Sequence, residues 1–193
     1  MTRRLALVRH GQTAWNAARR IQGTTDIPLD DTGRAQAEEA AAALAALGRW
    51  TLVIASPLLR AHETAAIIAA RLRLPLHDQV PALAERDCGE AEGLSVEEAH
   101  ARWPELDYAG GETLDAVGRR VADALTQLAD AADGAIVVSH GIALRAGIAV
   151  LTGEPMTRLA NAEAIVLERL PDDGGARMWR RGGALLEGAG RSG

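Results

Sequence analysis

At 193 residues the chain has the length of one domain and is long enough to bury a core. Its 21 basic and 26 acidic side chains give a formal charge of −5, which argues against a general nucleic-acid binder and means that an anionic ligand must meet a local positive cluster. Four Trp, one Tyr and no Phe leave Ala, Leu, Val and Ile to build the core, and platforms for stacking bases are not expected.

Residues 5–8 are an apolar run that stops at Arg9-His10-Gly11, read as a buried strand and a turn. The run is too short for the apolar region of a secretion signal. Asp30 is a plausible N-cap for an Ala-rich helix that ends at Gly48. Residues 51–55 form a second buried strand. Ser56-Pro57 then places an N-cap before a proline at the first helical position, opening a helix to about residue 72. The stretch 74–94 contains two Pro and two Gly and is expected to hold a short strand and a loop. A short helix is expected over 95–103, a turn over 110–113 and a long amphipathic helix over 114–131. Residues 135–138 make a third buried strand, and His140-Gly141 leads into a helix over 142–151. A hairpin of 164–170 and 176–180 ends the ordered part.

Strands alternating with helices imply an α/β fold, with helices on both faces of a mostly parallel sheet. The expectation is a single domain over 1–181 and a flexible Gly-rich tail over 182–193. The most apolar stretch, 135–151, carries His140 and Arg145 and is not expected to span a membrane. The lone Cys88 permits neither an internal disulfide nor a thiolate metal site, and the protein is expected to be cytoplasmic.

Chemistry collects at three strand-to-helix junctions. The first delivers Arg9 and His10, the second Arg60, and the third His140. In an open α/β sheet, ligands bind at the carboxyl ends of parallel strands, where helix N-termini also face anions. Two Arg and two His there suit a dianion, most naturally phosphate. Taken singly, each has a plainer explanation, since a His after a strand is more often a cap and Arg60 fits a solvated helix face. Convergence on one rim weakens that explanation. Phosphoryl transfer without a metal needs a nucleophile, a positive clamp and a proton donor. Ser56 is already explained as a cap, Cys88 has no neighbouring His, and the five His show no metal-ligand spacing. The nucleophile is then His10 or His140, and the segment Leu83-Ala84-Glu85-Arg86-Asp87 holds candidate acids.

The segment Leu7-Val8-Arg9-His10-Gly11-Gln12-Thr13-Ala14-Trp15-Asn16 resembles the signature of the histidine phosphatase superfamily, in its phosphoglycerate-mutase-like branch. The resemblance continues in order through Gln22-Gly23, Leu29-Asp30-Asp31-Thr32-Gly33, Ser56-Pro57-Leu58-Leu59-Arg60-Ala61, Glu85-Arg86-Asp87-Cys88-Gly89, Gly110-Gly111-Glu112-Thr113 and Val138-Ser139-His140-Gly141. It implies a three-layer α/β/α sandwich. It also implies that His10 becomes phosphohistidine, that Arg9, Arg60 and His140 hold the phosphoryl oxygens, and that Glu85 is the general acid. Asn16, Gln22, Gly23 and Arg86 would bind substrate. No metal and no cofactor are expected, and the partner is a small phosphorylated metabolite.

Relatives often carry an aromatic and a Trp where this chain has Cys88 and Ala91, which leaves the shape of the substrate pocket open. The family's mutases resemble longer chains with an insertion after the acid. Here 24 residues separate Glu85 from Gly110, with Arg86 and Arg102 as the basic side chains among them, so hydrolysis is favoured over mutase activity. A non-catalytic phosphate-binding relative would need neither His10 nor Glu85. The substrate and the oligomeric state, a homodimer included, stay open.

Overall fold

The computed structural model describes residues 2–170 and 179–182. Strand β1 (Arg3–Arg9) is followed by a one-turn helix α1 (Ala14–Ala17) and by α2 (Asp31–Leu47). Then come β2 (Leu52–Ala55), α3 (Leu59–Leu72), α4 (Val96–Arg102) and α5 (Leu114–Ala131). The chain closes with β3 (Ala135–Ser139), α6 (Gly141–Thr152), β4 (Ala164–Arg169) and β5 (Trp179–Arg181).

The sheet order is β2-β3-β1-β4-β5. Strands β2, β3 and β1 run parallel, while β4 and β5 add antiparallel, so the sheet is mixed and only its site-bearing half is parallel. The apolar run of β3 is buried along its whole length because helices cover both faces. Alternation along β1 divides the core. Leu5 and Leu7 pack with Val121, Leu125, Leu144 and Ile148 of α5 and α6, whereas Ala6 and Val8 pack with Ala41, Leu44, Ala65 and Ile68 of α2 and α3. The result is the expected three-layer arrangement.

Asp30 caps α2 as expected, accepting from the Gly33 N–H, and Gly48 ends it with φ 144°. Ser56 does not cap α3. The helix starts at Leu59, and Asp26, far upstream, accepts the Leu59 N–H at 2.7 Å instead. The serine hydroxyl is engaged elsewhere, with His140. The irregular stretch contains no strand. Leu76 makes one isolated bridge to Val53, and two 3-10 turns, Pro81–Leu83 and Gly89–Ala91, carry the chain onward. The terminal hairpin is present, but residues 176–178 of its expected second strand, and the expected tail beyond Gly182, lie outside the described residues. Among the described residues no helix is long and apolar enough to cross a membrane.

Candidate active site

The register fixes where the site forms. Val8 and Ala55 both align with Val138, so β1, β2 and β3 end level and their next residues emerge along one rim. The backbone holds this rim together, with His10 N–H donating to the Ser139 carbonyl and Ser56 N–H to the Val138 carbonyl. Thr64 of α3 accepts the Gly11 N–H and ties the first turn to that helix. Gly11 and Gly33 permit the turn to approach α2, since a Cβ on Gly11 would lie 2.3 Å from the Gly33 carbonyl oxygen.

His10 and His140 face each other with ring centroids 5.1 Å apart. Nδ1 of His10 lies 2.7 Å from its neighbour's carbonyl, Gly11 O, which can only accept. The ring proton therefore sits on Nδ1, and Nε2 carries the free lone pair. Burial, reinforced by Arg60 and Arg9, pushes the His10 pKa well below its usual value, so the ring is neutral at physiological pH. Burial does the same to His140, again with Arg60 nearby. A neutral imidazole can attack phosphorus without prior deprotonation.

Arg9 is buried at the end of β1, donating from Nη1 to the Leu159 carbonyl. Burial first, then the charge of Arg158, lowers its pKa to about 10, which leaves it a cation. Arg60 is fully buried in the first turn of α3. Its two terminal nitrogens donate to the carbonyls of Thr25 and Gly23 at 2.9 and 2.8 Å. Gly23 holds φ 53°, the left-handed conformation that glycine adopts readily. Arg9 Nε, Arg60 Nε and His140 Nδ1 are all buried without a hydrogen-bond partner. Three orphaned nitrogens beside one nucleophilic imidazole make a cradle for an anion.

Neutral donors line the same area. Asn16 Oδ1 accepts from Thr13 and from Asn161 Nδ2, and Gln22 Oε1 accepts from the Thr13 hydroxyl. With both carbonyl oxygens occupied, the amide –NH2 groups are the ends left to meet a ligand. Asn161 also donates to the His10 carbonyl.

Glu85 lies on the first turn of α6. Its Oε1 accepts the Ala143 and Arg86 N–H groups at 2.9 Å each, and its Oε2 accepts the Ile142 N–H at 3.2 Å. Two of these donors belong to the first turn of α6, so the carboxyl is placed by that helix's N-terminus. The neighbouring carboxyls are placed differently: Asp87 caps the Gly89 N–H, and Glu112 forms a two-pronged ion pair with Arg120. Arg86 is buried with its guanidinium over Tyr108, donating to the carbonyls of Glu112 and Leu106. Those bonds staple the connection after Glu85, and its Nη1 is buried without a partner. Cys88 and Ala91 belong to a small buried cluster with Ala99 and Tyr108, packed by Trp103. Burial pushes the Cys88 thiol up to about 12, which rules it out as a nucleophile at neutral pH.

Two supporting residues have no counterpart in the sequence reading. Glu92 accepts from the backbone and hydroxyl groups of Thr24 and Thr25 and from the Cys88 N–H, fastening the loop whose carbonyls hold Arg60. Arg120 of α5 donates to the carbonyls of Ala82, Ala84 and Glu85 as well as to Glu112. Neither has a local signal, because most of its partners are distant in sequence. Among the described residues no group of His, Cys, Asp and Glu is placed to hold a metal ion.

Comparison with known proteins identifies the family. The family model of the histidine phosphatase superfamily (branch 1) matches residues 5–180. A protein of Bacillus subtilis called uncharacterized phosphatase PhoE is 38% identical over 164 residues, spanning 82% of this chain and 84% of the relative. A metal-independent phosphoserine phosphatase of Arabidopsis thaliana is 40% identical over 156 residues, 74% of this chain and 66% of that protein. The structure of a mycobacterial glucosyl-3-phosphoglycerate phosphatase in complex with VO3 superposes with a TM-score of 0.82 at 29% identity, covering 93% of this chain and 97% of the other.

Proposed function

The chain belongs to the histidine phosphatase superfamily, and from that premise we propose that it hydrolyses small phosphomonoesters without a metal, through a phosphohistidine on His10. The observation that carries this reading is the neutral, buried His10 set among three orphaned nitrogens of Arg9, Arg60 and His140.

In the first half-reaction, Nε2 of His10 attacks phosphorus and the bond to the ester oxygen breaks. The Nδ1–H bond to Gly11 steadies the charge that develops on the ring. Arg9, Arg60 and His140 hold the equatorial oxygens, where negative charge accumulates. Glu85 gives its proton to the departing oxygen, which would otherwise leave as a poor alkoxide. Oε2 is the atom suited to carry that proton, because it is held by one 3.2 Å bond while Oε1 accepts two shorter ones. In the second half, the Glu85 carboxylate takes a proton from water, the hydroxyl attacks phosphorus, and the bond to Nε2 breaks to release phosphate. Asn16, Gln22 and the backbone at Gly23 line the substrate side.

Two features favour hydrolysis over mutase chemistry. The connection from Glu85 to Gly110 is short, and Nε and Nη2 of its Arg86 are held by the carbonyls of Glu112 and Leu106. The net charge of −5 fits a metabolite seized by a local cluster better than nucleic acid. A cytoplasmic setting goes with the single buried Cys88.

The deciding experiment is turnover of phosphorylated metabolites in the presence of a chelator, with 2- and 3-phosphoglycerate included to reveal mutase turnover. Acid-labile, base-stable phosphate should be trapped on His10. His10→Ala should abolish turnover and leave the thermal midpoint close to that of the wild type. Phosphate trapped on Ser56 or Cys88 would overturn the assignment.

A further inference from the structure

Ser56 lies one residue beyond β2 and is fully buried, and its hydroxyl has two neighbours. The Leu58 N–H points at Oγ from 3.3 Å, and Nε2 of His140 lies 2.7 Å away. An N–H can only donate, so Oγ accepts from Leu58. Among the described residues the hydroxyl hydrogen then has one acceptor available, the His140 ring. If Ser56 donates to Nε2, the imidazole proton of neutral His140 sits on Nδ1, the atom that is buried without a partner.

We infer that Ser56 is a positioning residue that fixes the tautomer of His140, turning Nδ1–H toward the oxygens of the transferring phosphoryl group. The opposite tautomer would present a lone pair to those oxygens and repel them. An unpaired buried N–H is unfavourable at rest, and an anion that accepts from it removes that penalty on binding. The arrangement is therefore set before substrate arrives, as transition-state stabilisation requires. The geometry behind it comes from the sheet. Parallel pairing aligns Ala55 with Val138, which brings the residues after β2 and β3 together although 84 positions separate them. A hydroxyl suits the task because it can reverse its bond and accept from Nε2–H if phosphate binding charges the ring. The inference rests on the reading of His140 as a phosphoryl-binding residue.

The test is nitrogen NMR of protein labelled in histidine, which reports directly which ring nitrogen carries hydrogen. The wild type at neutral pH should show His140 protonated on Nδ1 and bare on Nε2, and inorganic phosphate should shift the Nδ1 resonance. Protonation on Nε2 in the free enzyme overturns the inference while leaving the site assignment intact. A His140 ring indifferent to saturating phosphate overturns the site assignment and the inference with it. In Ser56→Ala the tautomer preference should be lost, and single-turnover phosphorylation of His10 should slow by about three- to tenfold, the worth of one neutral hydrogen bond, with KM little changed. A folded Ser56→Ala enzyme that keeps the wild-type tautomer and rate refutes the inference. If that variant does not fold, the wild-type spectrum decides alone.

Discussion

His10 and His140 leave two adjacent parallel strands whose ends are held level by the sheet, whereas Glu85 hangs in an irregular connection with no ladder on either side. On the strand side, position follows from register, and backbone bonds such as His10 N–H to Ser139 O carry it to the site. On the loop side, the same precision comes from side chains that reach the backbone over long distances. Arg120 grips three carbonyls around Glu85, Arg86 grips two further along, and Glu92 fastens the loop that cradles Arg60. A sheet edge is a shared, cooperative support, while each of these staples depends on one side chain. Damage should therefore be graded, greatest for groups that touch the phosphoryl oxygens and smaller for the side chains that hold them.

Arg60 stands where the two regions meet and gives the largest expected effect among these comparisons. Its terminal nitrogens bond Thr25 and Gly23, which fixes Nε beside the anion cradle. Arg60→Lys keeps a positive charge but cannot occupy two carbonyls and the cradle together. Loss of a fixed transition-state donor costs about 2.7–4 kcal/mol, or about a hundredfold or more in kcat. A Lys variant with near-wild-type turnover would show that charge alone suffices and that the planar fork is irrelevant.

Arg120 tests whether the loop staples serve chemistry or only stability. Arg120→Ala strands the carbonyls of Ala82, Ala84 and Glu85 and frees Glu112, so stability should fall by about 1–3 kcal/mol. If Arg120 also positions the acid, phosphorylation of His10 by alkyl phosphates should slow by about tenfold, while nitrophenyl phosphate, whose phenolate leaves easily, should be nearly spared. Chemical denaturation measures the first effect and single-turnover labelling the second. An equal loss for both substrates would mean that Arg120 supports the fold without serving proton transfer.

The same division explains what could be read from the sequence. Apolar runs that stop at Arg9-His10 and Ser139-His140 announce strand ends, and strand ends in a parallel sheet announce a site. Asp30 announces its helix because a cap is a local interaction, and the structure adds Ser95 and Thr113 as caps of the same kind. Ser56-Pro57 misled for the same reason, since the local pattern of a cap was present but the hydroxyl was claimed by a histidine 84 residues away. Helix α1 escaped because a single turn closed by Thr13 and Asn16 leaves no apolar period. The terminal hairpin was legible as two apolar segments, but its antiparallel docking of β4 on β1 and the roles of Arg120 and Glu92 depend on tertiary pairing that no window of sequence contains.

Glu92 gives the smallest of these effects, and its pH dependence distinguishes a charged staple from a neutral one. Burial raises its pKa, but the Thr25 hydroxyl and the Thr24 and Cys88 N–H groups outweigh that, and the carboxyl ends below its ordinary 4.5. A folded-state pKa below the unfolded value adds stability that is complete above the unfolded pKa and is lost as pH falls through the folded one. Glu92→Gln keeps the size of the side chain but sets an –NH2 group where a carboxylate oxygen accepted from the Thr24 or Thr25 N–H. At pH 7 the variant should lose about 1 kcal/mol of stability. The loop at Gly23 and Thr25 should loosen its hold on Arg60, slowing phosphorylation of His10 by a few-fold. In thermal unfolding followed from pH 7 downward, the gap between wild type and variant should hold until about the ordinary carboxylate range and close below it. A gap that stays constant to pH 3 would mean that the carboxylate charge contributes nothing. Support for Arg60 would then rest on the shape of the loop, and the loop side of the site would be as passive as the strand side is rigid.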